Sequence, residues 1–518
     1  MKKKYVRWTL WTIASPFILF IILCILIYLP PIQNFLVDKA AVYASEATGM
    51  NISVGRISLS FPLNLVVTNV DAASPHNDTL LSVRRLQVNV QLLPLLKKQV
   101  EVDGISLQGA TVNSNDLIHG MKLNGTLGEL FISSHGVALD PETAIVNKVL
   151  LKDTDLSLCL NDTAAADTAA SDPTYWKIIL QDIDLQNVSF ALDMPLDSLS
   201  LAASLDNATL RDGLIDLHKS AYSLQTFRIK NGRVRYDSGR PSATASADSL
   251  SAGLDPSHIA LTDIGVKLDS LYYEGRNMKA VISQFVLKER SGVEIVSTEG
   301  RLVSNDKVLR VPSLKLETRD SYLELNAAMD WDALDFKKEG LVSARLMADI
   351  GKPDVVRFMG SMDEKFIRKY PSEPLRIRTG IDGDLNKLKL TTLTAELPGA
   401  LELFAKGELT SLTDSLLRGG DITLQAETKD LKFISTLAEG IEIPYGTRLE
   451  GKFTMAGPKM GTDLLLMQPE AHAVAAADTI PITVYNDSIS VADDFKMERA
   501  ARLFAKYDLS RDRYEADL

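Results

Sequence analysis

From Asn51 onward, apolar and polar residues alternate along the chain with a period of two. LQVNVQL places Leu86, Val88, Val90 and Leu92 on one side of an extended backbone, and Gln87, Asn89 and Gln91 on the other. Successive side chains of a strand point to opposite faces, so this pattern predicts strands with one apolar and one solvated side. DLSLCL repeats it with Leu156, Leu158 and Leu160, SLKLET with Leu314 and Leu316, SYLELN with Leu323 and Leu325, and PLRIRTGI with Leu375 and Ile377. Helical periodicity is rare downstream, where PDVVRFMG and KFISTLAEG are the expected short helices. RLFAKYDLSRDRYEADL reads as a strand, a turn at 510–512 and a second strand. No polar unit caps the array there, as expected of a truncated chain or of an edge that docks onto another chain.

A loose repeat overlies the alternation. An apolar-x-apolar run meets a polar residue, then Asn, Asp or Gly, then a mostly small residue. Copies centre on Gly109-Ala110, Asp153-Thr154, Asn187-Val188 and Asn231-Gly232, with a fainter one at Asn69-Val70. Asn, Asp and Gly are disfavoured inside strands unless they serve a bulge or bend. Regular bends would curve a long sheet, and repeats at this spacing indicate an array whose units bury surface on their neighbours. The small, polar, acidic segment 161–175 predicts a flexible surface loop between repeats.

The N-terminal region follows a different pattern. Residues 8–29 carry no charge and are long enough to span a hydrocarbon core about 30 Å thick as a helix. Trp8, Trp11, Phe17, Phe20 and Tyr28 are the aromatic residues of this anchor. Lys2, Lys3, Lys4 and Arg7 precede it, so residues 1–7 are expected in the cytoplasm and the bulk of the chain across the membrane. The exit, Tyr28-Leu29-Pro30-Pro31, is bulky and unsuited to signal-peptide cleavage. Residues 32–48 have helical spacing at Ile32, Phe35, Leu36, Lys39, Ala40 and Tyr43, and predict an amphipathic helix stopping at Gly49. Residues 50–518 form the elongated β body.

Charge and chemistry narrow the function. Removing the four N-terminal positive charges from a net −11 leaves −15, which argues against nucleic acid and against a broad basic patch for anionic headgroups. Cys24 lies in the anchor and Cys159 far downstream, so no disulfide framework is expected. No phosphate loop, nucleophile elbow or zinc-protease motif is present, and the histidines are scattered singly. Asp382-Gly383-Asp384-Leu385-Asn386 begins like a calcium loop, but Lys387 and Leu393 occupy the positions that need Gly and Glu, so a hairpin turn is expected. Asp330, Asp332 and Asp335 read as a solvated turn. No cofactor, metal site or catalytic residue is expected, and the chain reads as a non-enzyme.

A continuous apolar face must be covered. It can be packed as a sandwich core, which periodicity alone favours, or left as a groove for an apolar occupant. For an exported, membrane-tethered protein the matching occupant is a lipid acyl chain, which gains about 0.8 kcal/mol per CH2 leaving water.

The order of features across residues 1–115 carries a resemblance. A cationic start, an anchor and an amphipathic helix precede TGMNISVGRISLSFPLNLVVTNVDA, and then LLSVRRLQVNVQLLPLLKKQVEVDGISLQGATV. This resembles the N-terminal region of the AsmA-like superfamily, in particular the TamB group. The resemblance implies an anchor in the Gram-negative inner membrane and a curved antiparallel β-groove in the periplasm, taco- or solenoid-like. It implies carriage of phospholipid between the inner and outer membranes, or a scaffold for outer-membrane protein assembly with an Omp85-type partner. The characteristic C-terminal domain of TamB-like chains is absent from this sequence.

Overall fold

The computed structural model describes residues 49–60, 64–74, 79–91, 102–114, 120–139, 142–161, 175–239, 253–335, 340–359, 364–412, 416–436, 445–469, 482–485, 488–491, 497–508 and 513–517, with single positions at 39, 41, 42, 45, 46, 338 and 414. The protein is mainly β, a long and mostly antiparallel sheet with few helices. It divides into two compact units, residues 1–246 with 256–275, and residues 247–255 with 276–518.

The first unit holds β1 (Asn51–Ser60), β2 (Asn64–Ala73), β3 (Thr79–Val90), β4 (Val102–Asn113), β5 (Met121–Leu139), β6 (Glu142–Leu160), β7 (Lys177–Met194), β8 (Leu199–Asp216), β9 (Ala221–Leu224), β10 (Thr226–Ser238) and β11 (His258–Glu274). Consecutive strands from β1 to β6 pair antiparallel. The pairing of β6 with β7 is parallel, from Thr143 opposite Lys177 to Cys159 opposite Asp193. It is the one parallel pairing among the described strands of a sheet that is otherwise antiparallel, as expected. Parallel neighbours need a crossover of a dozen or more residues, and the long segment after Leu160 supplies that length. Residues 162–174 of the loop expected there lie outside the described residues. β9 and β10 together fill one lane between β8 and β11.

The repeat has a structural counterpart. Asn69, Gly109, Asp153, Asn187 and Asn231 all have positive φ, between 50° and 62°. Each is stepped over by the pairing, together with a residue at the same height on the neighbouring strand. Gly55, Asn69, Arg84, Gly109, Gly128, Asp153, Asn187, Asp206 and Asn231 thus form one line across the sheet. Only Gly visits this backbone region freely, and Asn and Asp follow because their short side chains bond locally. Neighbouring positions of the line are also tied across strands, by Asn187 Nδ2 donating to Asp153 Oδ1 and Asn231 Nδ2 to Asp206 Oδ2, both at 2.9 Å. A Cβ on Gly128 would approach the Asp153 Cβ to 2.8 Å, so the glycine makes room for the bend.

A second line lies six residues away in the longer strands, through Asn147, Gln181, Asp212 and Gln225, with Asp212 again at positive φ of 50°. Asn147 Nδ2 donates to Gln181 Oε1 at 2.9 Å. Along the first line one residue on each strand leaves the ladder while the register is kept, so the interruptions stay aligned from strand to strand.

The second unit holds β12 (Asn277–Glu289), β13 (Glu294–Ser304), β14 (Val308–Thr318), β15 (Tyr322–Asp330), β16 (Val342–Ile350), β17 (Leu375–Gly383), β18 (Lys387–Leu397), β19 (Leu401–Thr410), β20 (Gly419–Thr428), β21 (Arg448–Ala456), β22 (Lys459–Pro469), β25 (Met497–Asp508) and β26 (Arg513–Asp517), paired antiparallel in sequence order. β23 (Ile482–Tyr485) and β24 (Ser488–Val491) make a separate hairpin. Helix α1 (Lys352–Met359) falls where PDVVRFMG predicts it. Of KFISTLAEG, the described part holds a 3-10 turn at Ile434–Thr436 rather than an α-helix. The sequence reading does not anticipate α2 (Glu364–Lys369), which places Phe366 in a packed cluster with Tyr370, Leu397, Ala400, Leu431 and Phe433. Phe366, Tyr370 and Phe433 meet at ring distances of 5.2–5.7 Å.

The predicted anchor, with Trp8, Trp11, Phe17, Phe20 and Tyr28, lies outside the described residues. Among the described residues no helix is long and apolar enough to cross a membrane. Of the predicted helix at 32–48, positions 39, 41, 42, 45 and 46 are helical. Gly49 ends it with φ of 69°, its N–H donating to the Ser45 carbonyl at 2.9 Å.

Candidate functional site: the apolar face of the first unit

Strand register turns the alternation into continuous rows. Ile57, Val67, Leu86, Leu107, Leu130, Leu151, Leu185, Ala208, Ile229 and Val266 lie opposite one another across successive strands. Val88 sits in the neighbouring row between Leu65 and Ile105. Beyond the first bend line, Leu156 lies between Gly125 and Phe190, and Leu158 between Leu123 and Leu192. The other face carries rows such as Arg56, Thr68, Arg85, Gln108, Glu129 and Lys152.

Leu86, Val88, Val90, Leu156, Leu158 and Leu160 therefore share one face of the first unit, and Gln87 and Asn89 lie on the opposite one. Leu92 is outside the described residues. Leu314, Leu316, Leu323, Leu325 and Ile377 share the apolar face of the second unit, with Leu316, Leu323, Ala348 and Ile377 in one row. Leu375 lies elsewhere in character, packed against the Phe366 cluster.

Burial distinguishes a packed core from an open surface. Among the described residues of the first unit, the fully buried apolar side chains are Ala72, Leu80, Val83, Ala110, Ala208, Ala221 and Ile264. The large side chains of the apolar rows are half-buried, and Leu81 and Phe190 on that face are 37% and 38% exposed. A sandwich core would bury them, because an opposing sheet covers the inner face. This half-burial favours an uncovered face over the ordinary core that periodicity alone favours.

The two faces differ in burial along the first line. Thr154 and Ala208, next to the first line on the apolar face, are 2% and 3% exposed, whereas Asp153, Asn187 and Asn231 are exposed. Side chains beside the line are thus crowded on the apolar face and exposed on the polar one. The residue that follows in the repeat is Ala110, Thr154 or Gly232 in three copies and Val70 or Val188 in the other two.

A depression of about 630 Å3 lies instead on the second unit's polar face, lined by Arg376, Arg378, Glu396, Glu402, Glu427 and Arg448 among others. Its charges are largely matched internally, Arg376 with Glu396 at 3.3 Å, Arg448 with Glu427 at 3.2 Å and Lys429 with Glu402 at 3.1 Å. The Asp382–Asn386 segment is the β17–β18 hairpin, in which Asp384 Oδ1 accepts the backbone N–H of Asn386 and Lys387 at 2.8 and 2.6 Å. Asp330 accepts the Leu341 N–H at 3.0 Å, and Asp332 pairs with Lys338 at 3.0 Å. Among the described residues no group of His, Cys, Asp or Glu is placed to hold a metal ion.

No family model matches this chain, and no curated protein matches it.

Proposed function

We propose that the apolar face of the first unit takes up phospholipid acyl chains. In this reading the chain is an inner-membrane-anchored, periplasmic carrier of phospholipid toward the outer membrane, of the AsmA/TamB kind. The observation that carries the reading is the set of continuous apolar rows whose large side chains stay half-buried. Each CH2 laid there leaves water with a gain of about 0.8 kcal/mol, and no catalytic group is needed. The uncharged stretch 8–29 supports membrane tethering.

A photocrosslinking residue at Val88 or at Asn89, in cells, tests the reading. Lipid captured at Val88 and not at Asn89 supports it; equal capture, or none, sinks it.

A second reading rests on β1. Among the described strands it pairs with β2 alone, leaving its outer edge able to template an incoming strand. That favours a scaffold for outer-membrane protein assembly, working with an Omp85-type partner. Crosslinks from β1 to unfolded outer-membrane proteins, with no lipid at Val88, would make it the better account.

A further inference from the structure

At one end of the apolar face, aromatic residues gather in a protein with few of them. Tyr222 and Tyr273 lie opposite each other on β9 and β11, with ring centroids 6.2 Å apart, and Tyr222 also faces Ile215 of β8. They close the row of Ile178 and Ile215 and are 41% and 43% exposed. Just beyond, the Tyr175 and His218 rings meet at 5.3 Å, tilted by 49°, and the Trp176 carbonyl accepts the Leu217 N–H at 3.0 Å. Such rings join an apolar body to a polar tip, the combination that suits the boundary between hydrocarbon and water.

The charges at this end are also sorted. The carboxylates are occupied: Asp216 accepts the Lys219 N–H at 3.1 Å, Glu142 accepts the Tyr175 N–H at 2.9 Å, and Glu274 accepts the Tyr272 hydroxyl. Lys177 and Lys219 are exposed. Lys177, opposite Asp216, and Lys219 thus place two exposed ammonium groups beside the aromatic rings, on a chain whose net charge is −11.

The geometry points to this aromatic lip as the seat of the phosphate-bearing headgroup of a bound phospholipid, whose tail runs inward along the strands. The inference rests on the acyl-chain reading and gives it a direction. From the Ile215 row to the Leu210 row is five residues along β8, about 17 Å. One leaflet's hydrocarbon is about 15 Å thick. A tail anchored at the lip therefore crosses the second bend line and ends against Leu210 and Ile183, which lie opposite each other.

The test uses the full chain in phosphatidylethanolamine vesicles doped with either of two photoreactive phosphatidylethanolamines, one labelled at the tail end and one on the headgroup amine. The expected result is tail-probe labelling at Ile183 and Leu210, and headgroup-probe labelling within 175–180, 217–224 and 271–274. Combined Tyr222→Ala and Tyr273→Ala lowers headgroup labelling about tenfold, the effect of losing two aromatic contacts, with the β-sheet signal in circular dichroism unchanged. Tail labelling on the apolar rows with headgroup labelling at the opposite end, around 194–199, overturns the lip and spares the acyl-chain reading. Absence of tail labelling from the apolar rows overturns both.

Discussion

Replacing Asn187 by valine and, separately, by glycine tests the bend line at its centre. Asn187 has φ of 52° and donates to Asp153 at 2.9 Å. A left-handed backbone costs an L-residue about 1–2 kcal/mol, with β-branched residues at the upper end. The side-chain hydrogen bond is exposed and contributes about 0.5–1 kcal/mol. Asn187→Val loses the bond and strains the backbone, for a total of about 2–3 kcal/mol. Asn187→Gly loses the same bond but adopts the conformation freely, so its cost stays within about 1 kcal/mol. Trp176 lies in the first unit and Trp331 in the second, so each serves as a local reporter. Urea unfolding followed by hydrogen-exchange mass spectrometry resolves the two units. Equal costs for Val and Gly would show that the side-chain bond, and not the backbone geometry, holds the bend, and would refute the reasoning.

Three further outcomes follow from other sites. Asp354 is 0% exposed and accepts Ser321 Oγ at 2.6 Å, Arg357 at 2.9 Å and the Thr318 hydroxyl; Asp354→Ala leaves Arg357 without this partner and costs about 3–5 kcal/mol, read from unfolding of the second unit. Burial pushes the Tyr370 hydroxyl pKa above its ordinary value, so its contribution is full below the unfolded value near 10 and is lost as pH rises through the higher folded value; alkaline denaturation should show this step, and Tyr370→Phe should remove it. Leu185→Asp, in the centre of an apolar row, should reduce copurified phospholipid strongly, whereas Gln186→Asp on the other face should leave it unchanged, as mass spectrometry of the extracted lipid would measure.

Much of this architecture is legible in the sequence because side-chain parity and bends are local properties. Leu86, Val88 and Val90 fall on one face since a strand alternates whatever its partner. Asp153 and Asn187 are visible because an Asn or Asp in an otherwise apolar run needs a local reason. The second bend line is harder to see, since Asn147, Gln181, Asp212 and Gln225 share no residue type and only Asp212 among them has a positive φ. Asp263, at φ of 52° on β11, lies beyond the Gly232–Ile264 pair and so off the first line, where the β10–β11 register shifts. The direction of β7 is invisible in its own residues, because alternation reads the same either way along a strand. Leu375 alternates like its neighbours, yet α2 and the Phe366 cluster occupy its surroundings, and EKFIRK is too short to announce a helix.

Arg357 is held by two carboxylates, Asp354 and Asp320, each at 2.9 Å. Burial works against its cation, but hydrogen bonds to Asp354 and Asp320 outweigh that penalty and raise its pKa above the ordinary arginine value. The group is a clamp between α1 and the β14–β15 turn, where Thr318 and Ser321 share the same carboxylate.

The parallel seam between β6 and β7 has a consequence for the order of assembly. The β5–β6 hairpin can zip from neighbours such as Leu139 and Glu142, whereas every pair across the seam is separated by 34 residues. Closing the larger loop costs about 2 kcal/mol more in chain entropy before any contact rewards it. As the chain emerges, β1 to β6 can therefore form as one meander and β7 to β11 as another, with the seam joining last. A nascent protein would pass through a stage with two exposed strand edges facing each other, and that stage is where a chaperone would be needed.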